Sequence, residues 1–262
     1  MAGKIVEEFK VWKAQDLSGL KVLYLILDGI RLGVRAGTAE KEAVLVAQAF
    51  LEGGSRVLLS VALGNRESHN TWRGFLEGMQ ARGLRVPLLI ITDGSPGLLR
   101  AVEELFPRVR TQRCTKHKME NVLEKVLQED QPAVADDLRR VFYAPTLEHA
   151  REAAALFEKK WRKYAKAVEC LLRDLEACLT YYQFPYAHWK RIRTTNAIER
   201  SFREVRQRVR GIGRFQDEER ALAMVYWQIQ EAQQRWRGLV MTEESRKVLS
   251  QIRGITEQRM AA

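Results

Sequence analysis

Val22-Leu23-Tyr24-Leu25-Ile26-Leu27-Asp28-Gly29 and Leu88-Leu89-Ile90-Ile91-Thr92-Asp93-Gly94 decide the fold. Each is a short apolar run that stops at Asp-Gly. Runs without polar alternation mark strands buried on both faces, and such strands belong to α/β sheets. Around the first run, residues 21–35 read as a strand that ends in the basic stretch Arg31-Leu32-Gly33-Val34-Arg35. Residues 43–51 and 56–63 read as two more strands, joined at Gly53-Gly54 into an antiparallel meander. Ser68 is placed to cap a helix that carries Trp72, Phe75, Leu76 and Met79 at helical spacing. The second run, 88–92, leads into a helix from Ser95 to Leu105 and a short strand at 109–114, a parallel crossover unit.

After Cys114 the pattern turns helical. Phe157, Trp161, Tyr164, Val168, Leu171, Leu175 and Leu179 recur at steps of three and four, which predicts one long amphipathic helix. Pro132, Pro145 and Pro185 divide the region into several helices. The tail predicts helices at 196–210, 217–236 and 243–252. The expected architecture is α/β, a mixed sheet flanked by helices and interrupted by an all-helical insertion. Its parts are a core at 1–115, the insertion at 116–188, and helices at 189–262 that complete the core.

The totals bound the partners. The chain has 262 residues, 46% of them apolar, so it can bury a core. Lys and Arg number 44 against 33 Asp and Glu, giving a net charge of +11 and a pI near 9.7. Such an excess points to nucleic acid or an anionic membrane. No apolar stretch approaches the roughly 18 residues of a spanning helix, so no membrane partner is expected. The acids Glu7 and Glu8 stand where a signal peptide would be apolar. Cys114, Cys170 and Cys178 form no disulfide framework, which fits a reducing cytoplasm.

Three carboxylates are candidates for chemistry. Asp-Gly after a strand is ordinarily a turn. Two such carboxylates beyond the ends of neighbouring parallel strands would instead converge, and a divalent cation would relieve their repulsion. Glu199 lies in Thr194-Thr195-Asn196-Ala197-Ile198-Glu199-Arg200. There Asn196-x-x-Glu199 also fits a capping box with Asn196 as N-cap. On that helix Ile198, Phe202, Val205 and Val209 form a packing stripe, with Glu199, Arg203, Arg206 and Arg210 beside it. Between 190 and 214 stand nine basic residues: Lys190, Arg191, Arg193, Arg200, Arg203, Arg206, Arg208, Arg210 and Arg214. Only Glu199 and Glu204 accompany them, so the run reads as a track for phosphate backbone. Cys114-x-x-His117 has half the spacing of a zinc site, and no second pair completes a four-ligand structural site. Trp161 belongs to the helical stripe and is expected in a core. No P-loop, Gly-x-Ser-x-Gly or dinucleotide fingerprint occurs.

These segments resemble, in order, the Mutator-like transposases of bacterial insertion sequences. The match runs through Leu27-Asp28-Gly29, Glu67-Ser68 with Trp72 and Arg82-Gly83-Leu84, and Thr92-Asp93-Gly94. It continues through Gln112-Arg113-Cys114 with His117 and Asn121, and ends at Thr195-Asn196-Ala197-Ile198-Glu199-Arg200. The resemblance implies an acidic-triad enzyme on a ribonuclease H-like core, with Asp28, Asp93 and Glu199 as catalytic metal ligands. The helical insertion would lie between Asp93 and Glu199. It also implies a structural or site-supporting part for Cys114 and His117. Asn196 is expected to support the site too.

The expected reaction is DNA cleavage and strand transfer with two Mg2+ ions, Mn2+ being a possible substitute. Asp28 would bridge the ions, with Asp93 and Glu199 each completing one side. Arg193, Arg200, Arg203, Arg206 and Arg210 would hold DNA backbone. The partners would be transposon ends and target DNA, met by a homodimer or higher assembly in the cytoplasm at the nucleoid. Members of that family carry a DNA-binding region before the first Asp; the short stretch preceding Asp28 makes this chain read as the catalytic part alone. The alternatives are a truncated, non-catalytic DNA-binding remnant and a structure-specific DNA nuclease of the same fold.

Overall fold

A computed structural model describes residues 2–32, 42–64, 68–209 and 217–261. Helix α1 (Ala2–Lys13) precedes the meander of β1 (Val22–Leu32), β2 (Glu42–Leu51) and β3 (Arg56–Gly64). Helix α2 (His69–Ala81), β4 (Leu89–Thr92), α3 (Pro96–Leu105) and β5 (Arg110–Arg113) follow. The five strands form one mixed sheet in the order β3-β2-β1-β4-β5, with β1 antiparallel to β2 and parallel to β4. This is the expected α/β class, and it is consistent with a ribonuclease H-like core.

Alternation along the strands explains the continuous apolar runs. Tyr24, Ile26, Leu89 and Ile91 point to one face and Leu25, Leu27 and Ile90 to the other, each face with its own core. Helices α2 and α3 cover the second face through Trp72, Leu76, Met79, Leu98 and Val102. Burial of each such side chain contributes about 1.5–3 kcal/mol. Ser68 caps α2 as expected, its side chain accepting from the Thr71 amide.

Strand β1 runs on past Asp28, as the 21–35 reading expected, and Asp28 pairs opposite Val46 inside the strand. β2 runs alongside and keeps supplying hydrogen-bond partners through Leu32; residues 33–35 lie outside the described residues. Helix α1 was not expected. It buries Phe9 and sets the Trp12 ring 4.6 Å from that of Tyr226.

The region after β5 is helical, with α4 (Thr115–Leu123), α5 (Gln131–Phe142), α6 (Leu147–Lys160), α7 (Ala165–Arg173) and α8 (Leu175–Leu179). The single long helix expected through 157–179 is instead three. The chain breaks at Trp161–Tyr164 and at Asp174. Trp161 leaves the helix so that its indole N–H donates to Asp137 Oδ2 at 2.9 Å while the ring enters the local core. The apolar period survives the breaks because each short helix turns the same side to one cluster.

A short helix α9 (Trp189–Ile192) leads into α10 (Asn196–Val209), and α11 (Glu218–Gln233) and α12 (Glu243–Ala261) follow. The last runs past the expected end at 252. Ile198, Phe202 and Val205 of α10 are buried against the first face of the sheet, as the stripe predicted. The side chain of Val209 lies outside the described residues.

Candidate active site

Strand register builds the site first. Tyr24, Leu25 and Ile26 pair with Leu89, Ile90 and Ile91, so the same register carries Asp28 alongside Asp93. Thr92 pairs with Arg113, so the next step sets Asp93 alongside Cys114. Side-chain direction alternates along a strand. Asp28 therefore shares the face of Tyr24 and Ile26, and Asp93 shares that of Leu89 and Ile91. This is the face that α10 covers.

Only the second Asp-Gly is a turn, since Asp28-Gly29 lies inside β1. Ser95 N donates to Asp93 Oδ1 at 2.9 Å, and Gly29 N donates to Asp28 Oδ1 at 2.8 Å. Gly94 has φ +85°, and a Cβ there would lie 2.6 Å from Arg113 Nε. The turn thus serves the site by aiming the chain after Asp93 into α3.

Clamps between β5 and the start of α10 position Glu199. Thr115 N and Thr115 Oγ1 both donate to the Arg193 carbonyl, at 3.0 and 3.1 Å. Thr195 N and Thr195 Oγ1 contact Cys114 Sγ at 3.4 and 3.5 Å. The capping-box reading fails by one residue. Asn196 is the first helical residue and its amide donates to Thr194 Oγ1. Glu199 does not reach back; its Oε2 accepts from Lys116 Nζ and its Oε1 lies 3.7 Å from His117 Nε2. Oε1 is buried with no hydrogen-bond partner among the described residues.

Electrostatics couple the groups. Burial pushes the Asp28 carboxyl up to about 7, and the charges of Asp93 and Glu199 add to the rise. His117 and the Gly29 amide oppose it. The hydrogen bond to Cys114 raises His117 to about 9 against the cost of burial, with Cys114, Asp28 and Glu199 contributing charge. For Lys116, burial opposes the charge, but Glu199 and Glu120 outweigh it and raise the pKa. Asp28 and Glu199 therefore both feel the His117 charge, and Lys116 pairs with Glu199. Beside them a cleft of about 510 Å³ is lined by Asp93, Gly94, Ser95, Arg113, His117 and Asn121. Ser95 Oγ and Arg113 Nε are also buried without partners among the described residues.

A family model described as Transposase, Mutator family, matches residues 1–238. The chain belongs to the Mutator family of transposases. The transposase for insertion sequence element IS6120 of Mycolicibacterium smegmatis is 36% identical over 234 residues, spanning 89% of this chain and 72% of that protein. The transposase for element IST2 of Acidithiobacillus ferrooxidans is 34% identical over 221 residues, 84% of this chain and 74% of its own. The transposase for element IS905 of Lactococcus lactis subsp. lactis (strain IL1403) is 32% identical over 196 residues, or 74% and 50%.

In this Mutator-family chain the predicted residues fall into two groups. Asp28, Asp93, Glu199, Cys114 and His117 come together at one end of the sheet. Of the predicted arginines, Arg193 lies with its guanidinium 4.1 Å over the Tyr143 ring, at a cleft also lined by Arg56, Lys190, Arg191 and Asn196. Arg210 and the side chains of Arg200, Arg203 and Arg206 lie outside the described residues. Sequence reasoning missed Lys116, although it stands inside Cys114-x-x-His117, and it missed the part Thr195 plays in fixing α10. Trp161 is core, as expected. No helix among the described residues is long and apolar enough to cross a membrane.

Proposed function

We propose that this chain is the catalytic part of an insertion-sequence transposase that cleaves DNA and joins the cut end to target DNA. Asp28, Asp93 and Glu199 would hold two divalent metal ions, Mg2+ or its substitute Mn2+. One observation carries the reading: carboxylates on neighbouring strands share the face beneath a helix whose own carboxylate has a buried oxygen with no partner among the described residues. The donor set fits hard cations, which prefer carboxylate oxygen. Such ions, when bound, polarise a phosphoryl oxygen and activate the attacking hydroxyl.

The chain's own residues do the rest. Asp28 gives up its proton readily near neutral pH when positive charge arrives beside it. Lys116 neutralises Glu199 and must yield it. Arg193, Arg200, Arg203, Arg206 and Arg210 hold phosphates and leave base identity unread. Stacking on Tyr143 fixes the Arg193 fork in advance. Asn196, Cys114 and His117 support the start of α10. Residues 1–115 and 189–262 would form the core and 116–188 the insertion, acting as a homodimer or higher assembly on transposon ends and target.

The test is Mg2+-dependent cleavage and strand transfer on DNA carrying element ends. Asp93→Asn should abolish both while leaving DNA binding in place. Full activity of that variant overturns the metal assignment. A folded chain that binds DNA and nicks nothing in Mg2+ or Mn2+ is a non-catalytic binding module.

A further inference from the structure

Cys114, His117 and Glu199 each offer one ligand atom, and these atoms lie within 4.8 Å of one another. They come from two pieces of backbone: Cys114 is the N-cap of α4 and His117 lies in its first turn, while Glu199 lies in the first turn of α10. We propose that they form a second metal site, for a thiophilic ion such as Zn2+, that competes with the carboxylate triad for Glu199.

Two independent features argue for a ligand here. Glu199 Oε1 is buried, faces His117 and has no hydrogen-bond partner among the described residues, which is costly for a charged oxygen unless something occupies its open side. The Cys114 sulfur is fully buried, and the Thr195 amide and hydroxyl contact it at 3.4 and 3.5 Å, which holds it within 4.8 Å of the His117 and Glu199 ligand atoms. Sulfur and imidazole select zinc, cobalt or cadmium over magnesium. Three protein ligands leave a fourth position for water or another group, unlike a closed four-ligand structural site. Cys-x-x-His spacing alone predicts no such site, because the third ligand arrives only when α10 docks on the sheet. Lys116 already bonds the other oxygen of Glu199, so Oε1 is the atom presented.

The functional consequence rests on the triad reading above: an ion held by Cys114 and His117 would withdraw Glu199 from Asp28 and Asp93. The site itself does not depend on that reading. The test is therefore spectroscopic and uses the full chain, stripped with a chelator and titrated with Co2+. One equivalent should give a thiolate-to-cobalt charge-transfer band with the strong visible absorption of four-coordinate cobalt. Zn2+ should bleach it and excess Mg2+ should not. Cys114→Ser should abolish the band and Cys170→Ser should leave it. Glu199→Gln should weaken cobalt binding at least ~10-fold, since even outer-shell losses cost that much.

Circular dichroism checks that each variant is folded, and His117→Gln provides a second ligand deletion if Cys114→Ser is not. No charge-transfer band in the wild type, or a band that survives both ligand deletions, overturns the proposal. A band together with absent Mg2+-dependent cleavage leaves the second site standing and removes the triad reading. Cleavage without a band does the reverse.

Discussion

Replacing Asp28 by Asn should stabilise the metal-free protein at alkaline pH, an unusual outcome for a change at a candidate catalytic residue. Asp28 is 6% exposed, and burial pushes its carboxyl from 3.8 up to about 7. A carboxyl whose folded pKa is raised contributes stability fully below its unfolded value and loses it as pH climbs through the folded value. The window here runs from about 4 to about 7. A shift of about three units at ~1.4 kcal/mol each amounts to roughly 4 kcal/mol lost by pH 8. Asn keeps an oxygen for the Gly29 amide, which donates to Oδ1 at 2.8 Å, and removes the ionisation.

Thermal or urea unfolding in a chelator should therefore find Asp28→Asn up to about 4 kcal/mol more stable than wild type at pH 8 and nearly equal at pH 4. Adding Mg2+ at pH 8 should reverse the order. Wild type would gain about 2.7 kcal/mol at a hundredfold excess over its dissociation constant, and the variant far less. A variant equally stable or weaker at pH 8 in chelator, or a difference that ignores pH, would refute the reasoning.

Three further changes test how the site is held. Gly94→Ala must adopt φ +85° and meet Arg113 Nε at 2.6 Å; a loss of about 2–4 kcal/mol in urea unfolding is expected, and a neutral result would mean the turn relaxes freely. Asp174 accepts from Lys118 Nζ at 2.6 Å and from Arg113, and Lys118 is fully buried. Although burial works the other way, these cations hold the Asp174 carboxyl below the usual range. Asp174→Asn strands a buried ammonium and should cost about 3–5 kcal/mol. Lys118→Met should cost less, because Asp174 keeps Arg113; equal losses would show that the pair is not buried as described.

Much of this architecture was legible in the residues because the signals were local. Unbroken apolar runs gave β1 and β4, Gly53-Gly54 gave a hairpin, and Ile198, Phe202 and Val205 gave the packed stripe of α10. Helix α1 had its own signal: Ile5, Phe9 and Trp12 recur at helical steps, but the stripe is short and set among charges. The break at Trp161 was hidden because periodicity records which side a residue faces, not whether the backbone between two turns is continuous. An indole that needs Asp137 as acceptor outweighed helix propagation there.

The site shows the same division more sharply. Residue types and strand placement nominated Asp28, Asp93 and Glu199, and alternation assigns each Asp a parity. Parity alone does not make them neighbours. Ile26 lies beside Ile91 because of a long-range parallel pairing, and a slip of one residue would turn Asp93 to the face covered by α2 and α3. The same holds for Glu199, which reaches the sheet end because Thr115 grips the Arg193 carbonyl and Thr195 grips Cys114. Those two threonines look like ordinary linker residues in the sequence. Together they make the Cys114–His117 segment a socket for the helix that delivers the third carboxylate. The chemistry of the acids and the stability of that docking are therefore one problem, and a change at Thr115 or Thr195 should be read first as a displacement of Glu199.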